Sequence, residues 1–364
     1  MQNITKVTPR YSCIFIRRYC PRSCGYCLAK DVRGLDKILK PDQWIEALRI
    51  LESQGIVFHL ILGNELLSYP RCVELVEKLN EFYGRYAIYS TFPQPWADKW
   101  LDGCIKAGLY NISGGVDVWP GLRTGDFDVD DKSDAVLKWL SYSKSKGVPD
   151  VQATITIHRH NYDKLEPLLD LCTKKGIWVG MSMVEYSIDG KHDFYGPKQS
   201  MTDWLIPDDE KEKFRDIMYG LAAQIRTGRW MVQLPPSYFE EVGDRELAQK
   251  PWHCSQPMLI NVEEDGALRA CGYRGPLKER WSIFDLGKTL SMDEYIKLQR
   301  QCTSECPGCG GGGGAWSYWW MAERFNDLRM ATGDELGDKV FQIHEPGYEF
   351  EKRLNAANIK YEKE

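Results

Sequence analysis

The sequence lacks the features that mark membrane, secreted or nucleic-acid-binding proteins. No stretch approaches the roughly 18 apolar residues of a membrane-spanning helix, and the opening MQNITK has no apolar signal segment. Basic residues are not in excess, because 47 Lys and Arg stand against 52 Asp and Glu, whereas binding a phosphate backbone requires a broad basic surface. We therefore expect a cytoplasmic protein that has neither a membrane nor nucleic acid as its partner.

Repeats and low-complexity stretches are equally scarce. We find no internal repeat with a period of about 20 to 50 residues, and the one low-complexity segment is the glycine run at 310–314. With 43% hydrophobic and 27% charged residues, the composition is that of an ordinary soluble protein. The sequence therefore predicts a globular chain with room for about two domains.

Cysteine is too sparse for a disulfide-stapled scaffold, but it is unevenly distributed. The twelve cysteines are spread over 364 residues, far below the density of small secreted domains. Eight of them fall into two groups, which in a reducing compartment indicates metal ligands or redox centres more often than disulfides. The other four lie in strand or helix patterns typical of ordinary buried thiols: Cys13, Cys72, Cys104 and Cys172.

Short apolar, β-branched runs alternate with amphipathic stretches from residue 12 to about 185, which predicts successive strand–helix units around a parallel sheet. Strands are expected at 12–17, 56–62, 86–91, 109–114, 151–157 and 177–184. Helices are expected at 41–54, 70–83, 96–107, 131–146, 162–175 and 207–227. Five of these helices are followed directly by a glycine suited to a left-handed C-cap: Gly55, Gly84, Gly108, Gly147 and Gly176. The pattern predicts an α/β fold, a partial (β/α)6 TIM-like barrel.

The rhythm changes near residue 228 to Pro-Pro, cysteine-containing and glycine-rich stretches. We expect a barrel domain at 1–228, a smaller cysteine-rich module at 229–325 and a helical tail at 326–364. Within the module, the apolar runs at 258–262 and 267–270 flank Glu-Glu-Asp-Gly, which predicts a hairpin.

The first cysteine group has the spacing C-x3-C-x2-C and consists of Cys20, Cys24 and Cys27. It follows the first predicted strand and so lies at the carboxyl-terminal mouth of a barrel, where active sites of such folds are found. Three thiolates can hold three irons of a [4Fe-4S] cube and leave the fourth iron open. From spacing alone, a zinc site that lacks one ligand or a chance grouping are the alternatives.

With the aromatic Tyr26 directly before Cys27, this run resembles the defining motif of the radical S-adenosylmethionine (radical SAM) superfamily. The resemblance implies that Tyr26 is one of the cofactor-binding residues. The resemblance implies that S-adenosylmethionine binds the open iron through its amino and carboxylate groups. One electron from the cluster then cleaves the C5'–S bond, and the 5'-deoxyadenosyl radical abstracts a substrate hydrogen. It also implies an electron donor of the flavodoxin or ferredoxin type.

Two further segments resemble S-adenosylmethionine contacts of this family. Gly63, Asn64 and Glu65 follow the second strand, where the family has Gly-Gly-Glu; Asn64 departs from that pattern. The resemblance implies that Glu65 meets the methionine ammonium and that Arg123, downstream of a Ser-x-Asp-like segment, pairs with the carboxylate. The alternatives are that Glu65 caps a loop and that Arg123 is an ordinary surface arginine.

His158 ends the fifth predicted strand, where the family places polar contacts to the adenosyl group or the substrate. The resemblance therefore implies that His158 is a cofactor-binding residue. A histidine at a strand end is also often a hydrogen-bonded structural residue, and this alternative stays open.

The second cysteine group begins with a C-x11-G-x4-C run that resembles the start of the SPASM or twitch extension of radical SAM enzymes. The resemblance implies one auxiliary [4Fe-4S] cluster, with Cys302 as a substitute ligand or an unbound neighbour. The ligands it implies are Cys254, Cys271, Cys306 and Cys309. Zinc would also accept four thiolates.

The sequence thus predicts an enzyme, and the resemblance leaves its substrate open. The first hypothesis is an oxidoreductase-like reaction, the oxidation or dehydrogenation of a small polar metabolite with the auxiliary cluster as electron acceptor. The start of the motif at residue 20 favours it, because we expect little room for a peptide-recognition domain before it. The second hypothesis is a maturase that modifies a peptide or protein side chain. The third is a non-catalytic metal-binding scaffold.

Overall fold

The computed structural model describes most of the chain. The described residues are 11–17, 19–27, 37–56, 58–62, 65–119, 122–188, 201–234, 236–251, 259–271, 280–304 and 306–310. The tail predicted at 326–364 lies outside them, as do Gly63, Asn64 and Cys254.

Strands and helices alternate through the first half of the chain as the apolar pattern predicts. The strands there are β1 (Tyr11–Phe15), β2 (Phe58–Leu62), β3 (Tyr86–Ile88), β4 (Asn111–Gly115), β5 (Asp150–Ile157), β6 (Trp178–Met183) and β7 (Tyr186–Ser187). The helices between them are α1 (Pro41–Ser53), α2 (Cys72–Leu79), α3 (Trp96–Lys106), α4 (Phe127–Ser145) and α5 (Leu165–Lys174). The α/β class is therefore confirmed.

Six of these strands follow one another in parallel. β1 pairs with β2 and β2 with β3, β4 pairs with β5 and β5 with β6, and a parallel bridge between Tyr89 and Ser113 connects the two groups. Their carboxyl ends meet at one edge, which we call the mouth. All five predicted C-cap glycines have positive φ, as the left-handed cap requires.

Helix α4 begins four residues earlier than the sequence predicts. Asp126 caps its first turn, because the Asp126 carboxylate accepts a hydrogen bond from the backbone N–H of Val129 at 3.0 Å. Polar residues after this cap hid the helix start from the apolar pattern. The early start brings the first turn of α4 to the mouth.

The core lies between the sheet and the helices that cover it. On α1, Trp44, Leu48 and Leu51 are buried at helical spacing. Ile14 of β1 belongs to the same buried hydrophobic cluster. Each such side chain contributes about 1.5–3 kcal/mol when fully buried. Within the described residues, no helix is long and apolar enough to cross a membrane.

The second half of the chain contains α6 (Lys211–Arg226), α7 (Pro236–Leu247), β8 (Leu259–Val262), β9 (Leu268–Arg269), α8 (Met292–Ser304) and β10 (Cys309–Gly310). β8 and β9 form the predicted hairpin, and β8 also pairs in parallel with β1. Helix α8 holds the hairpin, because the Gln299 amide donates to the carbonyls of Leu259 and Ala270, both at 2.8 Å. The hairpin thus continues the barrel sheet, which the sequence did not indicate.

β10 pairs with β7 in antiparallel orientation, so the cysteine-containing segment 306–310 lies against the chain that follows β6. Gly310 is required there, because a Cβ at this position would come within 1.9 Å of the Tyr186 ring. The predicted cysteine-rich module therefore pairs with the first half of the chain at two places, through β8 on β1 of the barrel sheet and through β10 on β7, which form a separate two-stranded sheet.

Candidate functional site

Residues 19–27, which we call the cysteine loop, follow β1 at the mouth. Cys24 is buried, whereas Cys20 and Cys27 are partly exposed. The Cys27 N–H donates to the Cys24 carbonyl at 2.9 Å, which closes a turn between these two cysteines. The Cys20 Sγ lies 3.9 Å from Oγ1 of Thr91, just beyond β3. The fold thus gathers all three thiols of the motif on one short loop.

The thiols of Cys20 and Cys24 are neutral in the absence of a metal. Burial raises the pKa of Cys20 to about 11 and that of Cys24 to about 12. A metal or cluster that binds them must displace these protons, so assembly becomes easier as the pH rises.

The middle of the cysteine loop is fastened to the first turn of α4. The Gly25 N–H donates to the Asp126 carboxylate at 2.7 Å. A Cβ at Gly25 would lie 2.7 Å from Asp126 Oδ2 and 2.8 Å from Trp204 Nε1, so a larger residue would push the loop away. Arg22 pairs with Asp131 at 2.6 Å. Asp126 and Asp131 therefore hold the loop against α4, and Lys132 on the same helix contacts Tyr26 of the loop.

The partly buried Tyr26 and the buried Asp117 and Lys132 form a polar cluster that we call the mouth triad. The Tyr26 hydroxyl donates to the Asp117 carboxylate and accepts from the Lys132 ammonium. Lys132 Nζ also lies 2.5 Å from Asp117 Oδ2, with side-chain exposures of 5% and 0%. The triad joins the cysteine loop, the end of β4 and helix α4.

The mouth triad keeps its charges at neutral pH. Burial opposes ionisation of Asp117, but Lys132 and the hydrogen bonds of the triad together lower the Asp117 pKa below its ordinary value. Asp117 and its neighbours raise the pKa of Lys132 well above its ordinary value, although burial acts the other way. The Asp117 carboxylate also accepts from the Thr156 N–H at 2.7 Å. A paired, hydrogen-bonded ion pair therefore stands beside the cysteines.

His158 is buried beside Tyr26 and Trp204. Its ring stacks on Tyr26 with centroids 5.9 Å apart and meets Trp204 edge-on at 5.1 Å. Nδ1 accepts from the His160 backbone N–H at 3.2 Å, and burial lowers the His158 pKa to about 4. The neutral ring therefore carries its proton on Nε2. This buried Nε2–H has no hydrogen-bond partner among the described residues.

Glu65 lies at the mouth end of β2, close to Cys20, with its carboxylate buried. It accepts from the Leu67 N–H at 2.8 Å, and from the Ser90 hydroxyl, the Thr91 N–H and the Thr91 hydroxyl, each at 2.7 Å. Burial raises its pKa, and these bonds oppose that effect. The four bonds use the roughly four acceptor positions of a carboxylate. A ligand ammonium would have to displace one of these donors.

Arg123 lies on the outer side of α4. Its guanidinium makes two hydrogen bonds to Asp134, at 2.8 and 3.3 Å, and about half of each side chain is exposed. Asp134 is two residues from Lys132, which is roughly 200° around a helix. A contact between Arg123 and a ligand at the cysteine loop would require this ion pair to break and the side chain to turn around α4.

The second cysteine group is described in part. Cys271 follows β9, and Cys302 lies one turn of α8 beyond Gln299, whose amide contacts the Ala270 carbonyl at 2.8 Å. This contact places Cys302 on the side of α8 that faces Cys271. Burial and the nearby Cys271 raise the pKa of Cys13, in β1, to about 12. Cys309 pairs with Ser187 of β7.

The residues at the mouth fit the groups that the motif implies. Among the described residues, no three His, Cys, Asp or Glu side chains converge on a single ion, whereas in an iron–sulfur cube each thiolate binds its own iron. The buried Nε2–H of His158 is suited to an acceptor atom of a ligand beside the cysteine loop, because an unmade buried hydrogen bond costs about 1–3 kcal/mol.

Sequence reasoning missed Lys132 and the partners of Glu65. In the sequence, Lys132 belongs to a polar stretch, DVDDK, that is typical of a solvated helix face. The available signal was Asp117, which lies two residues after β4 between the apolar Val116 and Val118 and therefore needs a buried partner.

Comparison with known proteins agrees with this geometry. Residues 14–172 match the family model described as the radical SAM superfamily. The fold resembles that of SuiB from Streptococcus suis bound to S-adenosylmethionine, with a TM-score of 0.59 and 14% identity over 82% of this chain and 71% of that chain. For SuiB from Streptococcus suis bound to the precursor peptide SuiA, the TM-score is 0.57 and the identity is 15% over 82% of this chain and 67% of that chain. No curated protein matches the sequence.

Proposed function

We propose, from the premise that residues 14–172 belong to the radical SAM superfamily, that this chain is an enzyme that cleaves S-adenosylmethionine reductively and abstracts a hydrogen atom from its substrate. One observation carries the proposal: the three motif cysteines lie on one loop at the mouth, fastened by Gly25 and Tyr26 to α4 and β4. The loop is preformed, so its thiols need little rearrangement to bind a cluster.

When bound, the [4Fe-4S] cluster supplies the electron and S-adenosylmethionine supplies the radical chemistry. Cys20, Cys24 and Cys27 would hold the cluster. His158 would donate its Nε2–H to an acceptor atom of the bound cofactor or substrate. Tyr26 and Trp204 would exclude water from that side of the mouth, since both rings pack on His158.

The auxiliary cluster belongs to the same proposal. Its ligands would be Cys271, Cys306, Cys309 and Cys254, of which Cys254 lies outside the described residues. The hairpin pairs with β1 through β8, and β10 pairs with β7, so both described parts of the cysteine-rich module are attached to the first half of the chain. Iron should then approach eight atoms per chain, as two four-iron clusters require.

The substrate we propose first is a small polar metabolite that undergoes oxidation, with the auxiliary cluster accepting the second electron. The second candidate is a peptide. The likeness to SuiB, which has been captured with a precursor peptide, favours the peptide through the shared fold. A flavodoxin- or ferredoxin-type donor and a cytoplasmic location complete the proposal, since both supply the reducing conditions that the cluster needs.

The test is reductive cleavage of S-adenosylmethionine. We expect the anaerobically reconstituted and reduced protein to release 5'-deoxyadenosine. Cys24→Ala should abolish this release, because two thiolates retain a cube poorly. The matched control is Cys172→Ala, which removes an equally buried thiol on α5, away from the loop. No 5'-deoxyadenosine from an iron-loaded wild-type chain, or zinc in place of iron, would contradict the proposal.

A further inference from the structure

We propose that the mouth triad is a positioning device for the cysteine loop: the Tyr26 hydroxyl locks the loop in place, and the Lys132 ammonium sets the reduction potential of the cluster bound there. This inference deepens the proposed function and rests on it, because the cluster is the group that the loop would hold. Neither the family motif nor the resemblance assigns a role to the Tyr26 hydroxyl or to Lys132.

The first argument is connectivity. Tyr26 lies between Cys24 and Cys27, so a fixed Tyr26 fixes the spacing of these two cysteines. Its hydroxyl bonds to groups 91 and 106 residues away in the sequence, Asp117 and Lys132. No solvated tyrosine ring would hold the loop in this way, because an exposed hydroxyl exchanges its protein partners for water.

The second argument is burial. Removing the Tyr26 hydroxyl leaves a buried carboxylate and a buried ammonium each short of one hydrogen bond, and such groups are costly in a low dielectric. An exposed ion pair to the same helix restrains its residues less. The Arg123–Asp134 pair is half exposed and can exchange with water, so it cannot impose a comparable restraint.

The third argument is the sign of the local charge. Lys132 Nζ bonds to the Tyr26 hydroxyl and lies 5.1 Å from the centroid of the Tyr26 ring, so the ammonium stands beside the part of the cysteine loop between Cys24 and Cys27. Replacing Lys132 with a neutral residue removes one positive charge from beside the loop and leaves the buried Asp117 carboxylate there. Reduction adds a negative charge to a cluster, so a nearby buried cation favours the reduced form.

The fourth argument is the space kept for the ammonium. A Cβ at Gly115 would lie 3.1 Å from Lys132 Nζ and 2.6 Å from the Tyr89 hydroxyl. Gly115 is therefore the residue that leaves room for the Lys132 ammonium.

The experiment compares the reconstituted wild-type protein with Tyr26→Phe, Lys132→Met and Lys132→Arg. The matched control is Tyr238→Phe, which removes a buried hydroxyl bonded to the Met181 carbonyl on another element. The readouts are iron content, the rate of iron loss to a chelator and the midpoint potential of the cluster whose electron paramagnetic resonance signal changes when S-adenosylmethionine is added. That spectral response separates this cluster from an auxiliary one.

We expect Tyr26→Phe to lose iron about tenfold faster than wild type, while Tyr238→Phe does not. Lys132→Met should lower the ratio of reduced to oxidised cluster about tenfold at a given solution potential, a shift of about 59 mV for one electron. Lys132→Arg should restore most of this shift, because it keeps the charge. A purely structural role for Lys132 would change iron retention and leave the potential unmoved.

The outcomes separate this inference from the proposed function. A wild-type chain that binds no iron–sulfur cluster contradicts both. A wild-type chain that loads and cleaves S-adenosylmethionine, with variants that match Tyr238→Phe in iron loss and in potential, overturns the triad and leaves the proposed function standing. Lys132→Arg separates loss of the charge from poor folding, because it keeps the charge. The potential is measured on the fraction that retains its cluster, and an unchanged potential in both Lys132→Met and Lys132→Arg also overturns the inference.

Discussion

At the scale of single residues, the mouth is a set of buried polar groups whose roles depend on whether their hydrogen bonds are complete. Glu65 has a full set of four donors, and His158 has one donor atom without a described partner. The first arrangement holds loops together, and the second is ready for a ligand. The two residues should therefore respond differently to mutation.

Glu65→Gln tests whether this side chain is structural or binds S-adenosylmethionine directly. The amide replaces one carboxylate oxygen with an NH2 group, which then faces either the Leu67 N–H and the Ser90 hydroxyl or the N–H and hydroxyl of Thr91. We expect the free energy of unfolding of the metal-free chain to fall by about 1–3 kcal/mol in urea titrations. Glu74→Gln, which alters an exposed pair with Arg71, is the control and should change it by under about 1 kcal/mol. Unchanged stability with weaker binding of S-adenosylmethionine would instead identify Glu65 as a direct contact.

The lowered pKa of His158 predicts that the folded chain loses stability in mild acid. Burial lowers its pKa from 6.5 to about 4, so between these values the unfolded chain binds a proton that the folded chain does not. Stability is therefore present above the unfolded pKa and falls as the pH drops towards 4. From pH 7 to pH 5, the loss from this group should be about 2 kcal/mol.

The measurement is urea unfolding of the metal-free chain at both pH values. His158→Gln keeps a polar group but removes the titration, so the difference between pH 7 and pH 5 should shrink by about 2 kcal/mol in this variant. An equal pH dependence in both proteins would show that His158 does not titrate with a lowered pKa.

At the scale of elements, α4 connects the chemistry of the mouth to the sheet. Its cap Asp126 accepts from Gly25, its residue Asp131 pairs with Arg22, and its residue Lys132 completes the mouth triad. Positions 131 and 132 are on the first turns, where an early helix start is needed to reach the loop. The Asp126 cap thus sets the helix start that brings Asp131 and Lys132 within reach of the cysteine loop.

Asp126→Ala should affect both the helix and the loop. Loss of an N-cap costs about 0.5–2 kcal/mol, and the Gly25 N–H loses its acceptor as well. We expect lower stability together with faster loss of iron to a chelator. Ser291→Ala removes the cap of α8, where Ser291 Oγ accepts from the Glu294 N–H at 3.2 Å, and serves as the control. It should lower stability without changing iron loss from the cluster at the mouth; equal iron loss in the two variants would remove α4 from this role.

At the scale of the whole molecule, the second half of the chain is attached to the first half at two places. β8 extends the barrel sheet beyond β1, and β10 forms a separate two-stranded sheet with β7, which follows β6. The chain from Cys302 to Cys309 therefore runs from the hairpin side to the β7 side. Cys309 lies beside Ser187 of β7, whereas β9 runs antiparallel to β8 and leads the chain to Cys271 away from the mouth.

Gly310→Ala should detach the β10 segment, because a methyl group at this position would overlap the Tyr186 ring. If Cys306 and Cys309 bind the auxiliary cluster, iron content should fall by about half, while reductive cleavage of S-adenosylmethionine continues. The control is Gly220→Ala in α6, where a Cβ meets no atom within 4 Å. Full iron content in Gly310→Ala would show that pairing of β10 with β7 is not needed for the auxiliary site.

The sequence by itself determined the alternation of strands and helices, the C-cap glycines and the three-cysteine motif, because each is a local pattern with a period or spacing shorter than one element. The tertiary structure decided which polar residues meet. Tyr26 finds Lys132 across 106 positions, and Arg123 turns to Asp134 on the outer face of α4. Such pairings depend on the curvature of the sheet and on the start of α4 at Asp126, and no local pattern contains that information. Burial explains why Lys132 pairs with Asp117, since a buried ammonium is costly unless a carboxylate or another acceptor pairs with it.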